Sequence, residues 1–269
     1  MTGDVFPAWI DRWRLTPDGA PFTSLGGRLL PVRRDGVAAM LKVSHAPEEI
    51  AGGVLMAWWD GQGAAPVLAH EGEALLMVRA MGTGSLADMA RSGRDDEASR
   101  IICAALDGLH APRPGRLPSS LNPLPDWFRA LGPAANGHGG VLAKSHAMSK
   151  RLLADPREVC VLHGDAHHGN FLDFGELGWL AIDPKGLIGD RGYDYANLLC
   201  NPDLATAVAP GRIARQVQVV AQAGDLEPAR ILQWLLAYAG LSASWFLSDG
   251  DNPAGALQIA EIAAAELGL

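Results

Sequence analysis

The stretch His163-Gly164-Asp165-Ala166-His167-His168-Gly169-Asn170, with Ile182-Asp183 downstream, organises the rest of the chain. A short apolar strand, Val159 to Leu162, precedes it. Two more follow, Phe171 to Phe174 and Trp179 to Ile182, joined by Gly175-Glu176-Leu177-Gly178. The order is strand, loop, hairpin, acid. With those glycine-bounded residues as the turn, Phe174 pairs with Trp179 and Phe171 with Ile182. Asn170 then lies across from Asp183 at the open end of the hairpin. Side chains of paired strand residues are rooted about 5 Å apart. An amide oxygen and a carboxylate at that spacing suit Mg²⁺, which takes oxygen ligands. Asp165 lies on the loop leading into the same end. Phosphoryl transfer needs this arrangement: one aspartate to orient the acceptor hydroxyl and take its proton, and an asparagine and second aspartate to hold the metal on the phosphates. On this reading Asp165 is the catalytic base, Asn170 and Asp183 are the metal ligands, and His163 braces the loop.

Taken singly, each residue has a structural explanation, since an aspartate before a turn is commonly a cap. The specific signal is their ordered conjunction. A competing reading gathers His163, His167 and His168 with Asp165 and Asp183 into a zinc or manganese site for hydrolysis. A strand feeds this segment and Gly164 and Gly169 interrupt it, which argues against the helix a His-x-x-x-His ligand pair would use.

A kinase also needs a cation on the nucleotide phosphates. Upstream, Arg28 to Val32, Val37 to Val43 and Ala74 to Val78 read as strands, with Asp35-Gly36 as a hairpin turn between the first two. Lys42 sits within the second, among Met40, Leu41 and Val43, and is the candidate phosphate contact. Ala46 to Trp59 reads as a helix opened by Pro47. Glu49 in its first turn is placed to pair with Lys42, although acids there are expected from the helix dipole alone; the sequence leaves both open. Neither a G-x-G-x-x-G nor a G-x-x-x-x-G-K-[ST] loop is present, and Ser24-Leu25-Gly26-Gly27 is the remaining candidate to cover phosphates.

Met81-Gly82-Thr83-Gly84 breaks the pattern and reads as a connector. It divides a β-rich unit, residues 1–80, from a mainly helical unit, residues 81–269, giving an α+β chain. Asp96 to His110, Trp127 to Leu131, Val141 to Leu153 and most of the chain after Asp194 have helical spacing. Pro112 to Pro125 is a proline-rich loop. The helical unit is expected to supply the acceptor site. Asp126, Trp127, Trp245, Asp249 and Asp251 are its candidate walls, because acids and tryptophan faces suit cations. Asp249-Gly250-Asp251 is equally a turn signal.

The 269 residues are 48% apolar and 19% charged, which is ordinary for a globular protein. A net charge of −8 argues against nucleic acid or an anionic membrane as partner and is compatible with a cationic small molecule. Cys103, Cys160 and Cys200 form no C-x-x-C pair, so small buried hydrophobes are expected rather than disulfides or a zinc cluster. Met1 to Trp13 does not read as a signal peptide and no long uninterrupted apolar run occurs, so a cytoplasmic monomer is the expectation.

The segment from Val161 to Pro202, containing HGDAHHGN and AIDPKGLIGDRGYDYANLLCNP, resembles the aminoglycoside phosphotransferase family. Ala57 to Ala80 (AWWDGQGAAPVLAHEGEALLMVRA) and Leu236 to Asp251 (LAYAGLSASWFLSDGD) look most like its streptomycin 6-kinase and hydroxyurea phosphotransferase branch. The resemblance implies a two-lobed, protein-kinase-like fold. It also implies transfer of the ATP γ-phosphate to a hydroxyl, most closely the 6-position of streptomycin, as an antibiotic-resistance activity. It assigns the base to Asp165, Mg²⁺ to Asn170 and Asp183, and the strand lysine to Lys42. The adenine is expected on backbone groups around Val78, Arg79 and Ala80, with Asp190 and Asp194 supporting the catalytic loop. Two departures stand out. Glu49 follows Lys42 more closely than the family's lysine partner does. Pro184-Lys185 stands where protein kinases have Phe-Gly; Lys185 either contacts a phosphate or neutralises nearby acids. A kinase of another hydroxylated metabolite and a non-catalytic nucleotide-binding module are the alternatives.

Overall fold

Alternating apolar residues in the first part of the chain form an antiparallel sheet. The computed structural model describes residues 5–269, so Met1–Asp4 of the segment read against a signal peptide lie outside the described residues. After α1 (Pro7–Trp13) come β1 (Thr16–Pro17), β2 (Phe22–Ser24), β3 (Gly27–Arg34) and β4 (Val37–Val43). Helix α2 (Pro47–Trp59), β5 (Val67–Glu71) and β6 (Ala74–Val78) complete the unit. The sheet order is β1-β3-β4-β6-β5, with β2 also on β3. Arg34 pairs with Val37, so Asp35-Gly36 is the expected tight turn, both residues at positive φ. Pro47 opens α2 at its first turn as expected.

The two faces of this sheet have different fates. Leu30, Val32, Ala39, Leu41, Val43 and Leu76 pack with Phe6 and Leu15 in a small outer core. Side chains alternate along a strand, so Met40 and Lys42 of β4 face the other way, toward α2. Leu55, Met56 and Trp59 of α2 join Leu75 and Met77 in the main core, which continues into the second unit.

That unit contains α3 (Leu86–Met89), α4 (Asp95–His110), β7 (Asn122–Pro123), α5 (Leu124–Trp127), α6 (Leu131–His138) and α7 (Gly140–Ala154). Strands β8 (Val159–Leu162), β9 (Phe171–Asp173), β10 (Trp179–Ala181) and β11 (Leu187–Asp190) follow. Helices α8 (Gly192–Leu199), α9 (Leu204–Ala207), α10 (Arg212–Ala223), α11 (Pro228–Asp249) and α12 (Ala254–Glu266) end the chain. Strand β11, which the sequence reading omitted, pairs antiparallel with β8, Leu187 opposite Leu162. It thereby zips the segment after Asp183 onto the segment before Asp165.

The β9–β10 hairpin forms, but one residue out of the expected register. Trp179 pairs with Asp173, not Phe174, and Ala181 with Phe171. The reason is the turn. Phe174 donates its N–H to Gly178 O at 2.9 Å, so only Gly175–Leu177 bulge out, as a 3₁₀ turn. Asn170 is therefore opposite Ile182, whose N–H donates to Asn170 O at 2.9 Å, and Asp183 lies one position beyond the pairing at φ 56°.

Helix α11 is long and apolar enough to cross a membrane. Here Trp234, Leu235, Leu236 and Leu241 are buried, and the helix packs among α7, α8 and α12. All three cysteines are free, and burial pushes the thiols of Cys103 and Cys200 up to about 12, which fits inert packing groups.

Candidate active site

Strand β8 ends at Leu162 and delivers His163 into a closed slot. Its ring lies between Trp59 at 6.3 Å and Phe171 at 5.5 Å between centroids. Nδ1 accepts the N–H of Asp165 at 3.2 Å, and Nε2 donates to Ile182 O at 2.9 Å. Burial holds the imidazole below its usual pKa, so it is a neutral spacer between the loop and the hairpin. Gly164 has φ 83°, and a Cβ there would stand 2.9 Å from the Leu187 side chain, so only glycine makes this bend.

Two buried aspartates organise the ground beneath the loop: Asp194 fastens the loop itself, and Asp190 ties the approach to β8 to the start of α8 and to α11. Asp194 accepts the N–H groups of His163 and Gly164, both at 2.8 Å, and receives His110 Nε2 at 2.8 Å. Asp190 accepts the N–H groups of Arg157 and Gly192, the indole N–H of Trp234 and the Arg230 guanidinium. A carboxylate with this many donors fixes several backbone positions at once.

The Asp165 carboxylate is held from two sides. Asn197 donates to Oδ1 at 2.8 Å. Asn170 donates to the Asp165 backbone carbonyl at 2.9 Å and to Oδ2 at 3.3 Å. His167 Nε2 stands 3.8 Å from Oδ2. The His167 Nδ1 accepts the Gly169 N–H at 3.0 Å, so the proton of the neutral ring is on Nε2 and faces the carboxylate. Burial also lowers the His167 pKa. Sequence reading missed Asn197. The available signal was helical spacing: three residues after Asp194 on α8, it shares the face turned to the catalytic loop.

Lys42 lies across the cleft, 5% exposed. Its Nζ is 2.5 Å from Glu49 Oε2 and 2.8 Å from Asp183 Oδ1. Glu49 Oε1 takes Lys185 Nζ at 2.6 Å. The geometry therefore settles the Lys42–Glu49 pairing that the sequence left open: β4 turns Lys42 toward α2, and α2 starts close enough to present its first turn. The pair is roofed by the β2–β3 turn. A Cβ on Gly26 would lie 2.8 Å from both Lys42 Nζ and Glu49 Oε2. Gly26→Ala is thus expected to weaken nucleotide affinity about tenfold, the cost of displacing one charge-assisted bond, with folding intact. Titration with a fluorescent nucleotide checks this; unchanged affinity would remove Gly26 from the site.

Asn170 and Asp183 are not directly paired across the hairpin, yet both flank the cleft. Asn170 Oδ1 and Asp183 Oδ2 have no hydrogen-bond partner among the described residues, since the bonds of these side chains use Nδ2 and Oδ1. This free pair of oxygen donors fits a hard divalent cation. The alternative hydrolytic site finds no support in the geometry. Among the described residues no three His, Cys, Asp or Glu side chains converge on a metal position, and His163 is engaged with Ile182 and Asp165.

The connector is tied down. Val78 N–H donates to Pro66 O and Arg79 N–H to Ala38 O, and the Arg79 guanidinium binds Asp18 at 2.5 Å. Gly82 N–H donates to Asp173 O. Ala80 is the only one of Val78, Arg79 and Ala80 whose N–H the sheet leaves free among the described residues.

A cavity of about 460 Å³ opens beside Asn197, lined also by Asn201, Tyr238, Ser242, Phe246 and Asn252. That is in the range of small-molecule sites. None of the expected walls Asp126, Trp127, Trp245, Asp249 and Asp251 lines it. Helical phase explains the difference. Tyr238, Ser242 and Phe246 form one stripe of α11. Trp245 is turned aside to pack on Trp127, ring centroids 5.3 Å apart, and Trp127 donates to the Tyr193 hydroxyl. Asp126 pairs with Arg129, and Asp249 and Asp251 are exposed around the end of α11.

Comparison with known proteins places this geometry. Residues 12–250 match the family model of the aminoglycoside/hydroxyurea antibiotic resistance kinases. The chain is 51% identical over 246 residues to a streptomycin 3''-kinase of Klebsiella pneumoniae, covering 90% of this chain and 92% of that one. It is 29% identical to a streptomycin 6-kinase of Streptomyces griseus, covering 93% and 85%. In fold it is similar to a thermostable mutant of the aminoglycoside phosphotransferase APH(4)-Ia, solved in ternary complex with ADP and hygromycin B. The TM-score is 0.65 at 15% identity, covering 98% of this chain and 97% of that one. With an α+β, two-lobed, protein-kinase-like fold and a family match over most of its length, the chain belongs to the aminoglycoside/hydroxyurea antibiotic resistance kinases.

Proposed function

We propose that the protein transfers the γ-phosphate of ATP to streptomycin, at the 3''-hydroxyl rather than the 6-hydroxyl expected from the sequence resemblance. The observation that supports the chemistry is the position of the Asp165 carboxylate. Two amides aim it: one from Asn197, which also lines the cavity, and one from Asn170, whose backbone pairs with Ile182 next to Asp183 of the Lys42–Glu49–Asp183 cluster. The acceptor occupies that cavity and presents its hydroxyl to Asp165. The oxygen forms a bond to the γ-phosphorus as the bond from γ-phosphorus to the β-bridging oxygen breaks. The hydroxyl proton passes to the Asp165 carboxylate, and ADP leaves. Lys42, steadied by Glu49, neutralises the phosphates, and backbone groups just before the connector, around Ala80, receive the adenine. Asn170 and Asp183 would hold Mg²⁺, which supplies charge neutralisation on the phosphates. Every group used comes from one chain, and the need for ATP puts the activity in the cytoplasm.

The 3''-position rests on the higher identity to the 3''-kinase than to the 6-kinase. Incubation with ATP, Mg²⁺ and streptomycin, followed by mass analysis and phosphorus–proton NMR, is expected to give one added phosphoryl group at the 3''-oxygen. A product phosphorylated at the 6-oxygen would overturn the positional assignment. Nucleotide binding without any streptomycin product would redirect the search to another hydroxylated substrate.

A further inference from the structure

Lys185 has no part in the reaction as derived so far, yet its placement is specific. Its backbone N–H donates to His163 O at 2.7 Å, and its Cβ lies 3.1 Å from where a Cβ on Gly164 would stand. The residue is thus pinned to the loop that carries Asp165. From there its side chain crosses to the other unit, where Nζ meets Glu49 Oε1. Lys42 occupies the opposite oxygen of the same carboxylate. One glutamate therefore holds two ammonium groups, one from each side of the cleft.

We propose that Lys185 is a second phosphate-binding cation, which contacts the γ-phosphoryl group of ATP and follows it toward the acceptor. Three observations support this over simple neutralisation of an acid. First, Lys42 is shared between Glu49 and Asp183, so with Lys185 two ammonium groups balance two carboxylates. Once Asp183 turns to a metal, the two ammonium groups share Glu49 alone, and an anion is needed to balance them. Second, the Lys185 side chain is 23% exposed against 6% for Lys42, so it borders the open cleft rather than the packed interior. Third, the side chain runs from the Asp165 loop to Glu49. The transferring group must move from the phosphates at Lys42 to a hydroxyl at Asp165, and an ammonium on that line meets it throughout. Pro184-Lys185 in place of Phe-Gly, unexplained by the fold alone, acquires a chemical purpose.

The inference rests on the kinase reading but not on the identity of the acceptor, so nucleotide binding is the first test. Calorimetric affinities for ATP and ADP, each with Mg²⁺, are measured on the wild-type chain, Lys185→Met and Lys185→Arg, alongside turnover and thermal unfolding. Lys185→Met is expected to bind ATP about tenfold more weakly, the size of one charge-assisted hydrogen bond, with ADP affinity unchanged because ADP lacks the contacted group. Its kcat is expected to fall about 10²–10³-fold, as for removal of one preorganised donor to the transition state. Lys185→Arg keeps the charge and should recover most of the ATP preference. Equal losses for ATP and ADP would show that Lys185 merely steadies Glu49 and would overturn the proposal. So would unaltered kcat in a folded Lys185→Met protein. Failure of the wild-type chain to bind either nucleotide would overturn the kinase reading itself.

Discussion

Asp165→Asn is expected to abolish most phosphoryl transfer, lowering kcat by about 10²–10⁴-fold, the range for loss of a general base, while ATP affinity holds. The local geometry makes the loss steeper than a change of charge alone. Asn197 and Asn170 each direct an amide N–H at the carboxylate, on Oδ1 and Oδ2 respectively. An amide in its place has one accepting edge, so its own NH₂ must face one of these donors and the group rotates away from the acceptor. The check is ADP release in a coupled assay, with ATP titrated separately to show that the nucleotide site survives. Near-normal turnover would remove Asp165 from the reaction. Asn197→Ala should lower kcat in the wild-type background and have little further effect in the Asp165→Asn background, because neighbours acting through one group are not additive.

The second large effect is on stability. Asp194→Ala is expected to destabilise the fold by about 3–5 kcal/mol, because removing a buried charged partner leaves its donors unpaired. The orphaned groups would be the N–H of His163, the N–H of Gly164 and the ring of His110, around an aspartate side chain with no solvent exposure. Two of these three belong to the catalytic loop, so activity should fall in whatever fraction still folds. Urea unfolding monitored by tryptophan fluorescence reads the first effect directly. A midpoint equal to that of the wild-type chain would mean that the loop is held by other contacts. Asp194→Asn should lie between the two, since it keeps one acceptor oxygen and its volume.

Much of this was written locally. Asp35-Gly36 specified its hairpin because both residues tolerate positive φ, and Pro47 placed the start of α2 because proline lacks the N–H that a first turn leaves unpaired. Apolar alternation placed Lys42 on a strand. Strand β5 and strand β11 were not legible. The first is broken by a register irregularity, and the second, Leu-Ile-Gly-Asp, is too short and polar to stand out from a loop until β8 supplies its partner. The same holds for the β9–β10 register. Gly175 to Gly178 contains every residue of a turn, but only the Phe174–Gly178 bond decided which of them belong to the strands.

The candidate site divides along the same line. The residue types and their order by themselves determined the chemistry: a histidine, an aspartate, an asparagine and a second aspartate separated by a strand–turn–strand, with a lysine on an earlier strand. Those signals survive in one dimension because each residue is adjacent to the local element that presents it. The tertiary structure alone decided who touches whom. It put Lys185 on Glu49, Asn197 on Asp165 and His110 on Asp194. It also opened a cavity on the Tyr238–Ser242–Phe246 face of α11, while Trp245 packs against Trp127 on another face. These contacts join residues far apart along the chain, through the packing of α2, α8 and α11 against one loop. Periodicity tells which residues share a face of a helix, but the neighbour that face meets is chosen by the packing of the whole core.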